Sequence, residues 1–248
     1  MPSYGPPKDV SLDGHLVDGA FGYLTVATTI CFAIVVLVLL VVLLFHRRRA
    51  ARQAGHYTHG ERVRDQLLTV AVALGMFLGI DAVLAGRSMG HLRGRFWRFP
   101  DNDREAVRVE VTARQWAWTF RLAGPDGRFG TYDDIVTLNE LHVPVGKPVY
   151  LKLRSLDVIH SLYFPNFRTK IDAVPGTTTR LWFQAREAGK FELGCAQHCG
   201  VSHYRMKGDL LVQPAEDFAA WVERAAHDAR ALAAAKLNTP AWDWELGE

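Results

Sequence analysis

Between Cys195 and Met206 the chain reads CAQHCGVSHYRM, which sets two thiols, two imidazoles and a thioether on one short stretch. Thiolate and thioether are soft donors that combine with imidazole to select copper, and a weak methionine ligand is a signature of electron-transfer sites. A single copper of the blue type takes one thiolate and two imidazoles, so a second nearby cysteine would be left over. Two bridging thiolates suit a pair of copper ions, each then taking one histidine. His203 lies on the loop, and His160, in SLDVIHSLYFP at the end of an apolar strand stretch, is the candidate for the other. Zinc held by His160, Cys195, Cys199 and His203 would satisfy a tetrahedron, but it leaves Met206 without a role and the cysteines are not spaced Cys-x-x-Cys. A Cys195–Cys199 disulfide suits a compartment outside the cytoplasm and leaves both histidines unexplained. No Cys-x-x-Cys-His occurs, so no covalent c-type haem is expected on this chain.

Composition bounds what carries this loop. With 248 residues, 49% of them hydrophobic, and a net charge of +3, the chain can hold one sizeable domain plus a further element, and it does not point to nucleic acid. Cys31, Cys195 and Cys199 are its only cysteines, which excludes a multi-bridge disulfide framework. Cys31 reads as a small apolar filler.

From Phe21 to Phe45 no residue is charged, and a bilayer-spanning helix needs ~20 apolar residues. Residues 66–86, QLLTVAVALGMFLGIDAVLAG, form a second span interrupted by glycines and by Asp81, a carboxylate expected to reach the interface or a partner helix. A signal peptide has a shorter apolar core behind a basic start, whereas here the arginines follow. The loop 46–65 carries Arg47, Arg48, Arg49, Arg52, Arg62 and Arg64 against Lys8 before the first span, so the positive-inside rule puts it in the cytoplasm and residues 1–20 outside. Arg87, Arg93, Arg95 and Arg98 after the second span dilute that asymmetry.

A linker, 87–104, ends in FWRFPDND, and the pattern then turns from helical to alternating. Val107, Val109 and Val111 are expected on one face and Arg108, Glu110 and Thr112 on the other. Strand candidates recur at VRVEVTA, QWAWTFRL, LHVPV, PVYLKLRSL, TTRLWFQA, GKFELGCA and GDLLVQP between Gly, Pro and Asp clusters, the pattern of an all-β sandwich or barrel over 105–214. Within it GPDGRFGTYDD, with Asp126, Asp133 and Asp134, reads as a hairpin turn, because a calcium loop needs EF-hand spacing and a bidentate glutamate. Residues 215–248 open on a helix with Phe218, Trp221, Val222, Ala225, Ala229 and Leu232 on one face. They end in an irregular tail whose Trp242 and Trp244 are expected to dock on a partner subunit or fold back.

Together these motifs resemble subunit II of the haem-copper cytochrome c oxidases. The CAQHCGVSHYRM loop is similar to that family's Cys-x-Glu-x-Cys-Gly-x-x-His-x-x-Met, DVIHS to its Asp-Val-Leu-His-Ser strand end, and KIDAVPG and RQWAW to neighbouring motifs, in family order from about residue 20 to 214. The resemblance implies a two-helix transmembrane hairpin, an all-β cupredoxin-like barrel and a C-terminal helix. The barrel would face the outer, periplasmic side of an energy-transducing inner membrane of bacterial or mitochondrial type. It implies a binuclear CuA centre of two copper ions on His160, Cys195, Cys199, His203 and Met206, completed by the backbone carbonyl of Gln197. Trp116 would be the electron-entry residue, and Asp157 would lie at the docking face, where carboxylates steer lysine-rich cytochromes. Implied partners are the catalytic haem-copper subunit I, other oxidase subunits, a soluble or membrane-bound c-type cytochrome, and membrane lipid. Oxygen chemistry and proton translocation then belong to the whole enzyme, with electron transfer on this chain. A CuA subunit of a nitric oxide reductase shares these features, and a tethered copper-delivery module shares the ligands but needs no Trp116. A barrel-surface aromatic, like Trp118, is the plain alternative for Trp116. The family's magnesium-binding glutamate is replaced by Gln197, and a neutral amide is a poorer magnesium ligand. The glutamate at its proton-channel mouth has no match among Glu61, Arg64 and Asp65.

Overall fold

The computed structural model describes residues 5–47, 59–99 and 104–235. Arg48, Arg49, Arg52, the Pro100–Asp103 part of the linker, and Trp242 and Trp244 lie outside them. The chain divides into two units, one spanning Leu16–Trp97 and the other a β domain that includes the N-terminal segment up to His15.

The first unit is helical. Helix α1 (Gly14–Arg47) has 34 residues, about 50 Å at 1.5 Å per residue, against a hydrocarbon core of ~30 Å. Helices α2 (Val63–Met76) and α3 (Ala82–His91) join through a π-helical turn, Phe77–Asp81, and a second π turn, Leu92–Phe96, follows. Both stretches are long and apolar enough to cross a membrane. The second helix continues to Phe96, where the hydropathy pattern predicts a linker from 87. Backbone hydrogen bonding needs no apolar side chain, so apolarity marks only what a bilayer would cover, and the helix extends beyond that limit. Asp81 ends the first π turn, whose Gly79 carbonyl accepts the Tyr23 hydroxyl of α1.

Ten described strands form two five-stranded sheets packed face to face. The first has the order β3 (Ile135–Leu138), β2 (Ala117–Leu122), β1 (Val107–Arg114), β5 (Pro148–Ser155), β8 (Thr179–Gln184). The second has β4 (Glu140–Pro144), β10 (Lys207–Gln213), β9 (Gly189–Cys195), β6 (His160–Phe164), β7 (Thr169–Ala173). Two pairs, β1 with β5 and β4 with β10, are parallel, so the chain crosses between the sheets as a cupredoxin-like sandwich does. Val109, Val111, Phe120, Leu151, Leu153, Leu162, Phe164, Leu193 and Leu210 fill the space between them.

Strand β1 departs from the expected alternation. Val109 and Val111 point to the core, but Glu110 and Thr112 on the other face are buried as well. Arg121 of β2 lies across that face and pairs with Glu110 at 3.0 Å and with Asp134, while Asp133 meets Arg230 at 3.0 Å. These arginines occupy Asp133 and Asp134 of GPDGRFGTYDD, which turns the chain between the antiparallel strands β2 and β3 as a hairpin.

Helix α4 (Ala215–Ala234) lays Phe218, Trp221, Val222 and Ala225 against the β domain. Ala226 is fully buried and Leu232 is exposed, so the apolar stripe turns away from Leu232 near the helix end. Trp221 stacks on His142 of β4 with ring centroids 3.9 Å apart. At the other end of the chain Val10 enters the core, and residues 10–12 add to the sheet edge: the Leu12 amide donates to Gln184 and the Arg186 amide to Val10. No periodicity in KDVSLDG signals this docking.

Candidate metal centre

His160 opens β6, Cys195 closes β9, and the loop from Ala196 to Met206 returns the chain to β10. Strands β6 and β9 are paired, with Leu162 opposite Cys195, so sheet register carries the histidine to the loop. The loop is pinned by its own backbone: the Cys195 amide donates to Met206 at 3.0 Å, Ala196 to Ser161 at 2.9 Å, and Met206 to His203 at 3.1 Å.

The soft donors converge there. Cys195 Sγ lies 3.8 Å from Cys199 Sγ, 4.0 Å from His160 Nδ1 and 3.1 Å from the Gln197 carbonyl oxygen. Cys199 Sγ lies 3.5 Å from His203 Nδ1 and 3.8 Å from Met206 Sδ. The cysteines are free thiols, far beyond the ~2.0 Å of a disulfide. Ligand atoms of His160, Cys195 and Cys199 fall within 4.8 Å of one another, a group able to hold a metal ion. His160 and Met206 are fully buried and Cys199 nearly so.

Electrostatics also call for a cation. Burial, and then the Cys195 thiol beside it, push the Cys199 thiol up to about 12. Without a cation the Cys199 thiol stays protonated, and with one it can ionise. Two thiolates, two imidazoles, a thioether and a carbonyl suit copper, and the second cysteine and Met206 both find places that a zinc tetrahedron would not use.

Around these donors lies a second layer that spacing alone did not indicate. His160 Nε2 faces Asp157 Oδ1 at 2.8 Å, leaving Nδ1 directed at Cys195. Asp157 Oδ2 accepts the Gln115 amide at 2.6 Å, and Oδ1 also accepts the Val158 amide at 2.6 Å. Burial acts to raise the Asp157 carboxyl, but hydrogen bonds from Gln115, His160 and Val158 outweigh it and hold the group below the usual carboxylate range. Asp157, expected at the docking face, is an exposed residue whose two oxygens are both engaged by hydrogen-bond partners of the chain.

Trp116 is half-buried and donates its indole N–H to the Cys199 carbonyl at 3.3 Å, which the Gln115 side-chain amide also reaches at 2.7 Å. Gly200, at φ +119°, permits this approach: a Cβ there would sit 2.8 Å from Gln115 Nε2 and 3.2 Å from the Trp116 ring. Trp118 is not a surface aromatic; it is fully buried, edge-on to the His160 ring at 6.0 Å. Leu156, Ile159, Val201 and Tyr204 are exposed on the two loops that carry the donors. Gln115, Gly200 and Trp118 are site residues the sequence reading missed. Only Gly200, directly after a candidate ligand, carried a signal of tight packing.

The profile of the family described as cytochrome C oxidase subunit II, periplasmic domain, matches residues 126–212. An alternative cytochrome c oxidase subunit 2 of Bradyrhizobium diazoefficiens is 37% identical over 176 residues, 62% of this chain and 61% of that protein. A cytochrome c oxidase subunit 2 of Thermostichus vulcanus is 43% identical over 115 residues, 46% of this chain and 32% of that protein. The matched region thus spans less than two thirds of either relative. Among solved structures, the periplasmic domain of cytochrome oxidase subunit II of Bradyrhizobium japonicum is 30% identical, covering 49% of this chain and 94% of that one at a TM-score of 0.44.

Proposed function

The chain belongs to the cytochrome c oxidase subunit II family, and from that premise we propose that it takes electrons from a c-type cytochrome and delivers them to a haem of the catalytic subunit I. It is a membrane-anchored subunit of an oxidoreductase, with an outer-face β domain. The observation that carries the reading is the convergence of His160, Cys195, Cys199, His203, Met206 and the Gln197 carbonyl on one loop end. These residues would hold two copper ions. A copper pair bound there supplies one-electron storage with the charge spread over two centres. The protein's part is to keep the donors still: strands β6 and β9 fix His160 and Cys195, and the backbone bonds of the loop fix the rest.

Trp116 serves as electron entry in this reading. Its indole bonds the backbone of one ligand residue and its ring is half-buried, while Leu156, Ile159, Val201 and Tyr204, exposed on the loops that carry the donors, offer apolar surface to a partner. Two spans return a chain to the face it started from, and residues 10–12 are bonded to the β domain, which supports one shared outer face for both. The basic 46–65 loop supports the cytoplasm as the other face. Magnesium has no charged ligand at Gln197, so the copper set stands in this proposal without it.

The test is to purify the full chain in detergent, add copper, count the bound ions and record the electron paramagnetic resonance spectrum. Two ions sharing one unpaired electron, with the signal lost in Cys199→Ser, are expected. One copper per chain, or a signal localised on a single ion, would refute the proposal.

A further inference from the structure

We propose that Asp157 is a positioning residue that holds a ligand histidine and the electron-entry tryptophan in register, a role that rests on the copper reading above. The inference comes from a closed set of hydrogen bonds. Asp157 Oδ1 faces His160 Nε2 at 2.8 Å, and Oδ2 accepts the backbone amide of Gln115 at 2.6 Å. The side chains of Gln115 and its neighbour Trp116 both donate to the carbonyl of Cys199, at 2.7 and 3.3 Å. One carboxylate therefore ties the β5–β6 loop, which leads to His160, to the β1–β2 turn that bears Trp116, and that turn is tied in its own right to Cys199.

Each link has a physical consequence. A proton on Nε2, donated to a carboxylate, leaves the Nδ1 lone pair free, and Nδ1 is the atom that faces Cys195. The same bond fixes the plane of the ring. On the opposite side, the Gln115 amide sets the height of the β1–β2 turn and with it the Trp116 ring. Steering a donor requires only a charge near the surface, in any orientation. Asp157 is exposed too, but it is held in one orientation, with both oxygens placed by named partners.

Charge and position are separated by two variants of the full chain. Asp157→Glu keeps the charge and moves the oxygens; Asp157→Asn keeps the shape and removes the charge. In the metal-free protein, nitrogen-15 NMR is expected to show His160 as the single Nε2–H tautomer in the wild type and as a mixture in both variants. After copper loading, both variants are expected to be reduced by a basic c-type cytochrome about tenfold more slowly, with the deficit undiminished at high salt. The inference is overturned if Asp157→Glu matches the wild type in tautomer and rate, with the Asp157→Asn deficit vanishing at high salt, the behaviour of a docking charge. Failure of the wild type to bind copper would sink the copper reading alone, since the tautomer measurement still decides whether the carboxylate positions His160.

Discussion

Two polar clusters are buried in the same β domain, and they differ in what balances them. On the outer face of β1 and β2, Arg121 is 2% exposed and lies between Glu110 and Asp134. Both signs of charge come from the chain, although one Asp134 oxygen is buried without a hydrogen-bond partner among the described residues. At the loop end, Cys195, Cys199, His160, His203 and Met206 all offer electron pairs, and among the described residues no ion pair involves either thiol. The first cluster draws its counter-charge from the chain, whereas the second gathers soft donors with no cationic partner from the described residues and could hold a metal ion. Burial by itself therefore does not mark a functional site. The kind of donors gathered together does.

Removing the compensation on either side should produce the largest effects. Arg121→Met would strand two buried carboxylates, and a loss of about 3–5 kcal/mol is expected in the urea unfolding of the metal-free protein. The Glu110 carboxyl is already raised, by burial first, with Arg121 and Lys152 pulling the other way, so it should take up a proton in that variant at a higher pH than in the wild type. In the loop cluster the partner is external, so its balance should follow pH. The Cys199 thiol, at about 12, must lose its proton to bind a metal. Copper affinity should accordingly rise by about tenfold or more per pH unit near neutrality, measured by competition with a chelator. Within the metal-free pair, iodoacetamide should modify Cys195 before buried Cys199.

Smaller effects come from parts that shape the loop end without donating to a metal. Gly200→Ala puts a Cβ against Gln115 and Trp116 at a left-handed φ, at an expected cost of about 1 kcal/mol or more. Copper stoichiometry should hold while reduction by a cytochrome slows. The smallest change is expected from Arg230→Ala, which removes the half-exposed partner of Asp133 and should lower stability by about 0.5–1 kcal/mol. Burial acts to raise Asp133, but Thr131 and Arg230 hold it below the ordinary carboxylate value. Its folded pKa is the lower one, so its contribution is present at neutral pH and is lost as the pH falls below about 4. A thermal melt at two pH values would register the difference.

Legibility in the sequence followed the range of the forces involved. Two apolar runs, a series of alternating segments and an amphipathic tail were enough for a helix pair, a β domain and a closing helix. Strands β3 and β7 were not named from pattern, and the strand stretch read in SLDVIHSLYFP proves to be β6 with His160 at its start. In β6, four of the five residues His160–Phe164 are buried, and a strand covered on both faces has no period of two to read. Glu110 reads as a solvent-facing residue in VRVEV because its partner Arg121 sits on the next strand, and only the β1–β2 register sets Glu110 opposite Arg121. The candidate donors were legible because four of them share one loop; Gln115 and Trp118 were not, because a glutamine and a tryptophan in a hairpin carry no chemistry until something is packed against them.

The sequence by itself determined the donor types, their spacing between Cys195 and Met206, and the apolar length of two helices. All of these are properties of residues close along the chain, where covalent spacing limits the possible geometry. Only the tertiary structure decided that His160, 35 residues before Cys195, turns Nδ1 toward it, and that Asp157 accepts the amide of Gln115, 42 residues away. Contacts of that range depend on sheet register and on which groups find hydrogen-bond partners when water is excluded. A carboxylate that reads as a surface charge can then become part of the frame that holds the site.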